Sequence, residues 1–418
     1  MSDQKELVSD AVPEWQLELD KVGLLRRLLL ARKWYKGDWW FVLISGIMLL
    51  FIITLGIFPQ WFAPHDPREE VGPSLLAPGE ETPSFTVLVE ETSEAVTFSD
   101  ISERKNKVGY LMGSQATQAL RDTLDRLNTE AEEEGSDITY QPRGGRYETI
   151  EEGLQDLADG KLDGFIASEE ELEGAISNYQ TLVKIDELRS SKAKSFILGT
   201  NQIGQDILSR IIWGTRIALI VGLISAVISL IIGVPLGLFS GFIGGPVDRI
   251  LTLVMDSLYT FPGLILAISI AAVLGAGIGN IIVAIAVLYV PTYFRIVRGQ
   301  TLTVKNELYV KAAESLGTRP LAILIKYIFP NVLPSVVIIF SVNVADAILT
   351  EAGLSFIGLG LPPDTPDWGI DLARGQDYLR RAWWLITFPG AMVSTVTLAF
   401  SMLGESLSEI LNPRLSEL

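Results

Sequence analysis

Apolar residues in this chain fall in blocks, at 39–58, 217–247, 250–294, 331–350 and 382–404. About 20 consecutive apolar residues are enough to cross a bilayer. The block at 250–294 is about twice that length, and the glycine-rich run Gly275-Ala-Gly-Ile-Gly-Asn280 interrupts it as a turn would. It therefore predicts two spans. The pattern as a whole predicts six transmembrane helices, near 39–58, 213–240, 251–274, 281–298, 331–352 and 383–404. They are helices because lipid leaves no backbone polar group unpaired. Pro235, Pro262, Pro291 and Pro334 read as kinks or span ends. Trp39, Trp40, Trp61, Trp383 and Trp384 read as interfacial anchors. A soluble protein with buried core helices is the alternative, and blocks of this length count against it.

The stretch between the first two blocks has a different rhythm. Segments 85–89, 107–112, 137–140, 164–167 and 181–185 read as strands, and 114–134, 148–158 and 168–177 as helices. The last helix opens with a capping box at Ser168 and Glu171. Such alternation predicts a small α/β domain over about 80–195. Gly113-Ser114, at a strand–helix junction, reads as a plain cap or as an anion-binding helix start. Ahead of the first span, residues 14–36 (EWQLELDKVGLLRRLLLARKWYK) are amphipathic and basic toward the end, which predicts a helix lying along the membrane surface. Residues 1–38 are too long and too polar for a signal peptide, so the first span is expected to stay as an anchor.

Charge sharpens this division. The chain carries a net charge of −17, from 50 acidic and 33 basic residues. Segment 61–195 holds 29 of the acidic and 13 of the basic residues, a net of −16, which leaves −1 for everything else. Basic residues near span ends mark the cytoplasmic side. Arg26, Arg27, Arg32, Lys33 and Lys36 precede span 1; Arg249 lies between spans 2 and 3; Arg295, Arg298, Lys305, Lys311, Arg319 and Lys326 lie between spans 4 and 5; Arg414 follows span 6. With six spans these segments share one side, so both termini are expected in the cytoplasm and the acidic domain outside. With no cysteine and a single histidine, His65, thiol chemistry, histidine catalysis and His-rich metal sites are set aside. The chain also has no G-x-x-x-x-G-K phosphate loop.

One polar stretch between spans 4 and 5 stands out, YVKAAESLG at 309–317. Ala312, Ala313, Glu314 and Leu316 favour helix, and Gly317 can end one in the left-handed conformation. About two turns are too few to be stable alone in water, so the segment needs something to pack against. Small side chains at 312 and 313 would admit a close partner. A solvated connector joining two spans is the other reading.

This stretch, with Tyr327-Ile-Phe-Pro330 after it, resembles the E-A-A-x-x-x-G-x9-I-x-L-P loop of ABC importer permeases. Gly199-Thr-Asn-Gln-Ile-Gly-Gln-Asp-Ile-Leu-Ser-Arg210, Trp213-Gly-Thr-Arg216, Leu354-Ser-Phe-Ile-Gly-Leu-Gly360, Pro362-Pro363, Trp368-Gly369, Ala382-Trp-Trp-Leu385, Phe388-Pro-Gly390 and Asn412-Pro-Arg414 are similar to the dipeptide/oligopeptide subfamily, and so is Phe62-Ala-Pro-His-Asp-Pro67 near span 1. The resemblance covers about 195–414 plus span 1. It implies an all-α polytopic membrane protein with the six-helix type I ABC importer permease fold, here carrying an inserted small α/β extracytoplasmic domain. It also implies a non-catalytic subunit in a prokaryotic cell membrane, working with a second permease, two ATPase subunits and an extracytoplasmic solute-binding protein. No cofactor is expected on this chain, since ATP and magnesium belong to the ATPases, and no nucleic acid is involved.

On that resemblance Lys311, Ala312, Ala313, Glu314, Ser315, Leu316 and Gly317, with Pro330, form the ATPase-coupling segment of a cytoplasmic loop at 299–330. The family glutamate is Lys311 here, Asn201 replaces the usual aspartate, and Gln205 replaces the usual arginine. Charges inside spans are functional candidates, so Asp256, Asp346 and Glu351 are candidates for the translocation path. Asp256 also reads as an end-of-helix group in water, and Asp346 as a partner of a neighbouring helix. Phrases of the outer domain, Lys107-Val-Gly-Tyr-Leu-Met-Gly-Ser114 and 149–163, are similar to one lobe of extracytoplasmic solute-binding proteins. Docking a binding protein, structural embellishment and direct solute binding are, in that order, the roles expected of this domain. The rival classes are a membrane receptor and an ion-coupled transporter. The receptor predicts a signalling domain after the last span. The ion-coupled transporter predicts an inverted repeat and no coupling loop.

Overall fold

A computed structural model describes residues 36–82, 84–103, 105–111, 116–133, 136, 138–189 and 195–411. The expected surface helix at 14–36 (save its last residue), the Gly113-Ser114 junction and the Asn412-Pro-Arg414 motif lie outside the described residues. The chain divides into two compact units: Pro64–Ser209, and a helical unit made of the segments before and after it.

The helical unit opens with α1 (Lys36–Ile57), an almost wholly apolar helix. The chain then enters the other unit, whose strands are β1 (Ser84–Glu90), β2 (Lys107–Leu111), β3 (Arg143–Tyr147), β4 (Gly164–Ser168) and β5 (Leu182–Arg189). Helix α2 (Ala116–Glu133) joins β2 to β3, and α3 (Ile150–Ala158) joins β3 to β4. The sheet runs β3-β2-β4-β1-β5. β2 is parallel to β3 and β4, whereas β1 is antiparallel to β4 and β5. Successive strand residues point to opposite faces, and both faces are covered. Val87, Val108 and Ile166 pack with Ala116, Ala119 and Leu120 beside α2. Leu88 and Phe165 pack with Leu154 and Leu157 of α3.

Two sequence expectations fail in this unit. The expected strand at 137–140 is absent among the described residues there; Tyr140 makes a single bridge to Glu103, and the ladder partner of β2 is Arg143-Gly-Gly-Arg-Tyr147. A Cβ on Gly144 would lie 3.2 Å from the Tyr110 hydroxyl and one on Gly145 3.0 Å from the Tyr147 ring. Packing against tyrosines therefore explains glycine in this strand. The expected helix at 168–177 is one turn, Glu169–Leu172, with the Ser168–Glu171 capping box present. Gly174, at φ +96°, ends it.

The helical unit resumes with α4 (Ile207–Ile243), α5 (Gly245–Tyr259), α6 (Gly263–Leu274), α7 (Ile278–Lys305) and α8 (Leu308–Ser315). A short helix, Pro320–Ile323, runs through a π turn, Leu324–Ile328, into α9 (Phe329–Phe356). Last come α10 (Trp368–Gly375) and α11 (Trp384–Leu411). Among the described residues, five segments are long and apolar enough to cross a membrane, and α5 with α6 makes a sixth only if a bend of 88° is allowed. The continuous span expected at 251–274 is thus corrected to a broken one. Pro262 is the reason: it lacks an amide hydrogen, it caps α6, and it disfavours helical backbone at Phe261.

Helices α4 and α7 approach to backbone contact. Gly233, Gly237 and Gly241 recur every four residues on one stripe of α4. A Cβ on each would lie 2.8 Å from Val290 O, 2.7 Å from Phe294 O and 2.9 Å from Arg298 O, all on α7. Further along α4, Ser229 Oγ donates to Ala286 O at 2.9 Å. Small residues at this spacing let membrane helices approach to backbone contact.

Candidate coupling site

Helix α8 follows directly from α7. Asn306 caps α7, and Glu307 enters α8 in an extended conformation without a side-chain cap bond. Val310 and Ala313, three residues apart and so on one face, are 2% and 5% exposed. Val310 packs into a cluster with Val234 and Leu238 of α4, Tyr293 and Val297 of α7, and Ile323, Leu324 and Ile328 ahead of α9. The rest of α8 faces out. Lys311, Ala312, Glu314 and Ser315 are exposed. Leu308 and Leu316, at either end, are 84% and 86% exposed. The small pair at 312–313 therefore divides: Ala312 is open, while Ala313 packs into the chain's own interior.

The stop at Gly317 is a Schellman motif. Thr318 N donates to Ala313 O at 3.1 Å and Gly317 N to Glu314 O at 2.9 Å, with Gly317 at φ +76°. Further on, the π turn immediately precedes Pro330. Proline has no amide hydrogen for the helix ladder, and its ring crowds the carbonyl four residues back; the wider turn relieves that crowding just where the loop joins α9.

Charged groups tie the ends of α4, α5 and α7 together beside this loop. The Arg298 fork donates to Asp248 Oδ1 and Oδ2 at 2.5 and 2.7 Å. Ser240 Oγ donates to Asp248 at 2.5 Å, and Lys305 Nζ to the Phe242 carbonyl at 2.5 Å. A planar guanidinium on a carboxylate fixes both distance and orientation, so α4, α5 and α7 meet at one bolted corner. Asp248 was not singled out from the sequence, and Arg298 was read only as a marker of the cytoplasmic side. An Arg–Asp pair 50 residues apart gives no local signal, whereas the four-residue glycine spacing of α4 was legible and was missed.

The translocation-path candidates have separate environments. Asp256 is exposed and accepts from Arg295 at 2.9 Å, and the Arg295 guanidinium lies 4.0 Å from the centre of the Tyr259 ring. Asp346 is exposed on the surface of α9. Glu351 is 1% exposed and accepts from Ser355 Oγ at 2.8 Å.

Residues 233–417 match the family described as "Binding-protein-dependent transport system inner membrane component". The chain is 38% identical over 230 residues to the glutathione transport system permease protein GsiD of Pectobacterium atrosepticum, covering 55% of this chain and 76% of that one. It is 39% identical over 220 residues to the di/tripeptide transport system permease protein DppC of Pseudomonas aeruginosa, covering 53% and 73%. Among solved structures, an inward-facing MetNI methionine ABC transporter aligns over 49% of this chain and 96% of its own, at 17% identity and a TM-score of 0.41. From the identity and coverage of its sequence relatives, this chain belongs to the family of inner membrane permease components of binding-protein-dependent ABC importers.

Proposed function

We propose that this permease carries short peptides or peptide-like solutes inward, driven by ATPase subunits that dock on α8. The carrying observation is the way α8 is built: two buried residues hold it to its own bundle, and two leucines at its ends are left almost fully open. A partner surface that covers Leu308 and Leu316 gains apolar burial and touches Lys311, Ala312, Glu314 and Ser315 between them. Movement of α8 then passes through Val310 into α4 and α7, which the glycine stripe and the Arg298–Asp248 fork join. Two such permeases, each driven this way, would open a central path alternately to either side. This chain supplies the path, and ATP with magnesium stays on the ATPases.

The relatives named for glutathione and for di- and tripeptides share one solute chemistry, a short peptide, which is the class proposed here. Basic residues near span ends support a cytoplasmic α8 and an acidic α/β unit outside, where docking a solute-binding protein is its proposed role. The test is the full complex in vesicles, supplied with glutathione or di- and tripeptides. Leu308→Asp with Leu316→Asp should leave the permease inserted and cut solute-stimulated ATP hydrolysis and uptake at least tenfold. Unchanged coupling in that double variant would remove α8 from the docking surface. Uptake of neither peptide class by the unaltered complex would overturn the solute assignment and leave the docking role standing.

A further inference from the structure

Helix α10 closes the gap between α9 and α11, and it buries more ionisable groups than it can neutralise. Arg210 is 0% exposed, Glu351 1%, Asp367 1% and Asp371 6%. That is three carboxyl groups and one guanidinium in a dry place. Arg210 Nε and Nη2 both reach Asp371 Oδ1, at 2.8 and 2.7 Å, so the cation pairs with Asp371. The other two carboxyl groups, Glu351 on α9 and Asp367 at the start of α10, lie against one another at hydrogen-bonding range.

The donors around that pair are few. Ser355 Oγ donates its single hydrogen to Glu351 Oε1 at 2.8 Å. Ile370 N donates to Asp367 Oδ1 at 2.9 Å and so caps α10. Glu351 Oε2, also buried, meets no donor. An acceptor without a donor, set against a second carboxyl group, lacks one hydrogen atom. Two ionised carboxylates in contact out of water repel, and a shared proton turns the contact into a strong hydrogen bond.

We propose that Glu351 and Asp367 form a proton-binding site that holds one solvent-derived proton between their carboxyl groups at neutral pH, and that this proton seats α10 on the bundle. Burial pushes the Asp367 carboxyl above its ordinary range. Asp371 is pushed up by burial too, with Arg210 pulling the other way. Among the described residues, no second cation acts on the pair. From α4 comes Arg210, already engaged. From α10 come Asp371 and Arg374, the latter acting on Asp371. On α7, Tyr289 is bonded to Thr350 Oγ1 at 3.0 Å. Helix α6, and α11 from Trp384 to Leu403, contain no ionisable residue. Three elements meet at this seat. Trp368 Nε1 donates to Ile211 O on α4 at 3.1 Å. A Cβ on Gly369 would stand 2.3 Å from Ala352 O on α9, and one on Gly375 2.9 Å from Leu385 on α11. Loss of the proton would set two anions face to face in that seat, so α10 holds on the acid side and loosens on the alkaline side.

Infrared spectroscopy of the full-length permease in its complex, in lipid nanodiscs, tests this directly. At neutral pH the unaltered protein should show the carbonyl stretch of a protonated carboxylic acid. Glu351→Gln and Asp367→Asn should each abolish it, because an amide supplies the missing donor and leaves the remaining carboxylate ionised. Asp367→Asn keeps an oxygen for the Ile370 cap, so neither variant needs to unfold. Absence of the band in the unaltered protein, or its survival in both variants, would overturn the proposal; survival would assign the proton to another group, such as Asp371. Thermal stability gives a second reading. Between the ordinary carboxylate range and the raised one, the folded state keeps a proton the unfolded state has lost, so stability falls as pH rises, by up to about tenfold in the folding equilibrium per pH unit. Glu351→Gln should flatten that dependence, and an unchanged slope in it would also sink the proposal.

Discussion

Two eight-residue helices connect spans of this permease, and they are built in opposite ways. Helix α8 buries Val310 and Ala313 and exposes nearly everything else. Helix α10 buries Trp368, Gly369, Ile370, Asp371 and Gly375. The first has no side-chain cap at its start, and the second is capped by Asp367. Helices this short are not stable in isolation, so each needs tertiary support. α10 receives it on several sides within one chain, from α4, α9 and α11. α8 receives it on one side only and keeps its outer apolar ends for another body. The contrast separates a helix locked into its own chain from one that leaves most of its surface open.

Substitutions at the two helices should therefore divide between folding and function. The largest loss of stability should come from Arg210→Ala. It leaves Asp371 buried without its cation and should cost about 3–5 kcal/mol, read as a fall in the thermal midpoint of the purified permease. Gly369→Ala should follow at about 3 kcal/mol, since a methyl group 2.3 Å from Ala352 O forces α10 out of place. On the other helix Val310→Ala should cost about 2 kcal/mol by opening a cavity under α8, and it should also lower coupled ATP hydrolysis. Gly317→Ala should cost about 1 kcal/mol, from a left-handed backbone that a side chain resists. Leu316→Asp, with the side chain in solvent, should change stability by less than about 0.5 kcal/mol and still reduce coupling. If Leu316→Asp destabilised the isolated permease as much as Gly369→Ala does, the distinction between the helices would collapse.

Much of this was legible from local signals. The spans follow from runs of apolar residues, which report the lipid solvent directly. The stop of α8 follows from Gly317, and the start of the one-turn helix at Glu169–Leu172 from Ser168 and Glu171, because a cap is a contact between residues three or four apart. The sense of α8's faces was not legible. Ala312 and Ala313 are the same residue side by side, and only the position of α4 and α7 decides which one is buried. Pro262 was visible as a kink or span end, but the break of the expected span 251–274 and its 88° bend were not, since proline disrupts a helix without fixing where the next one goes. The strand at Arg143–Tyr147 was not read from the sequence, because its two glycines carry no strand signal and only the tyrosines that lie over them account for it.

The sequence by itself determined that the protein has a membrane unit and an acidic α/β unit, and that a short helix ending at Gly317 lies in the polar loop between two spans. Each of these rests on composition or on neighbours along the chain. Only the tertiary structure decided that Arg298 forks onto Asp248, that Arg210 is spent on Asp371, and that Glu351 meets Asp367 across two elements. These pairs lie far apart in sequence, or on separate elements, and a charge carries no mark of its partner. Burial turns such an encounter from a weak surface contact into one that must be paired or protonated, and burial is a property of the fold.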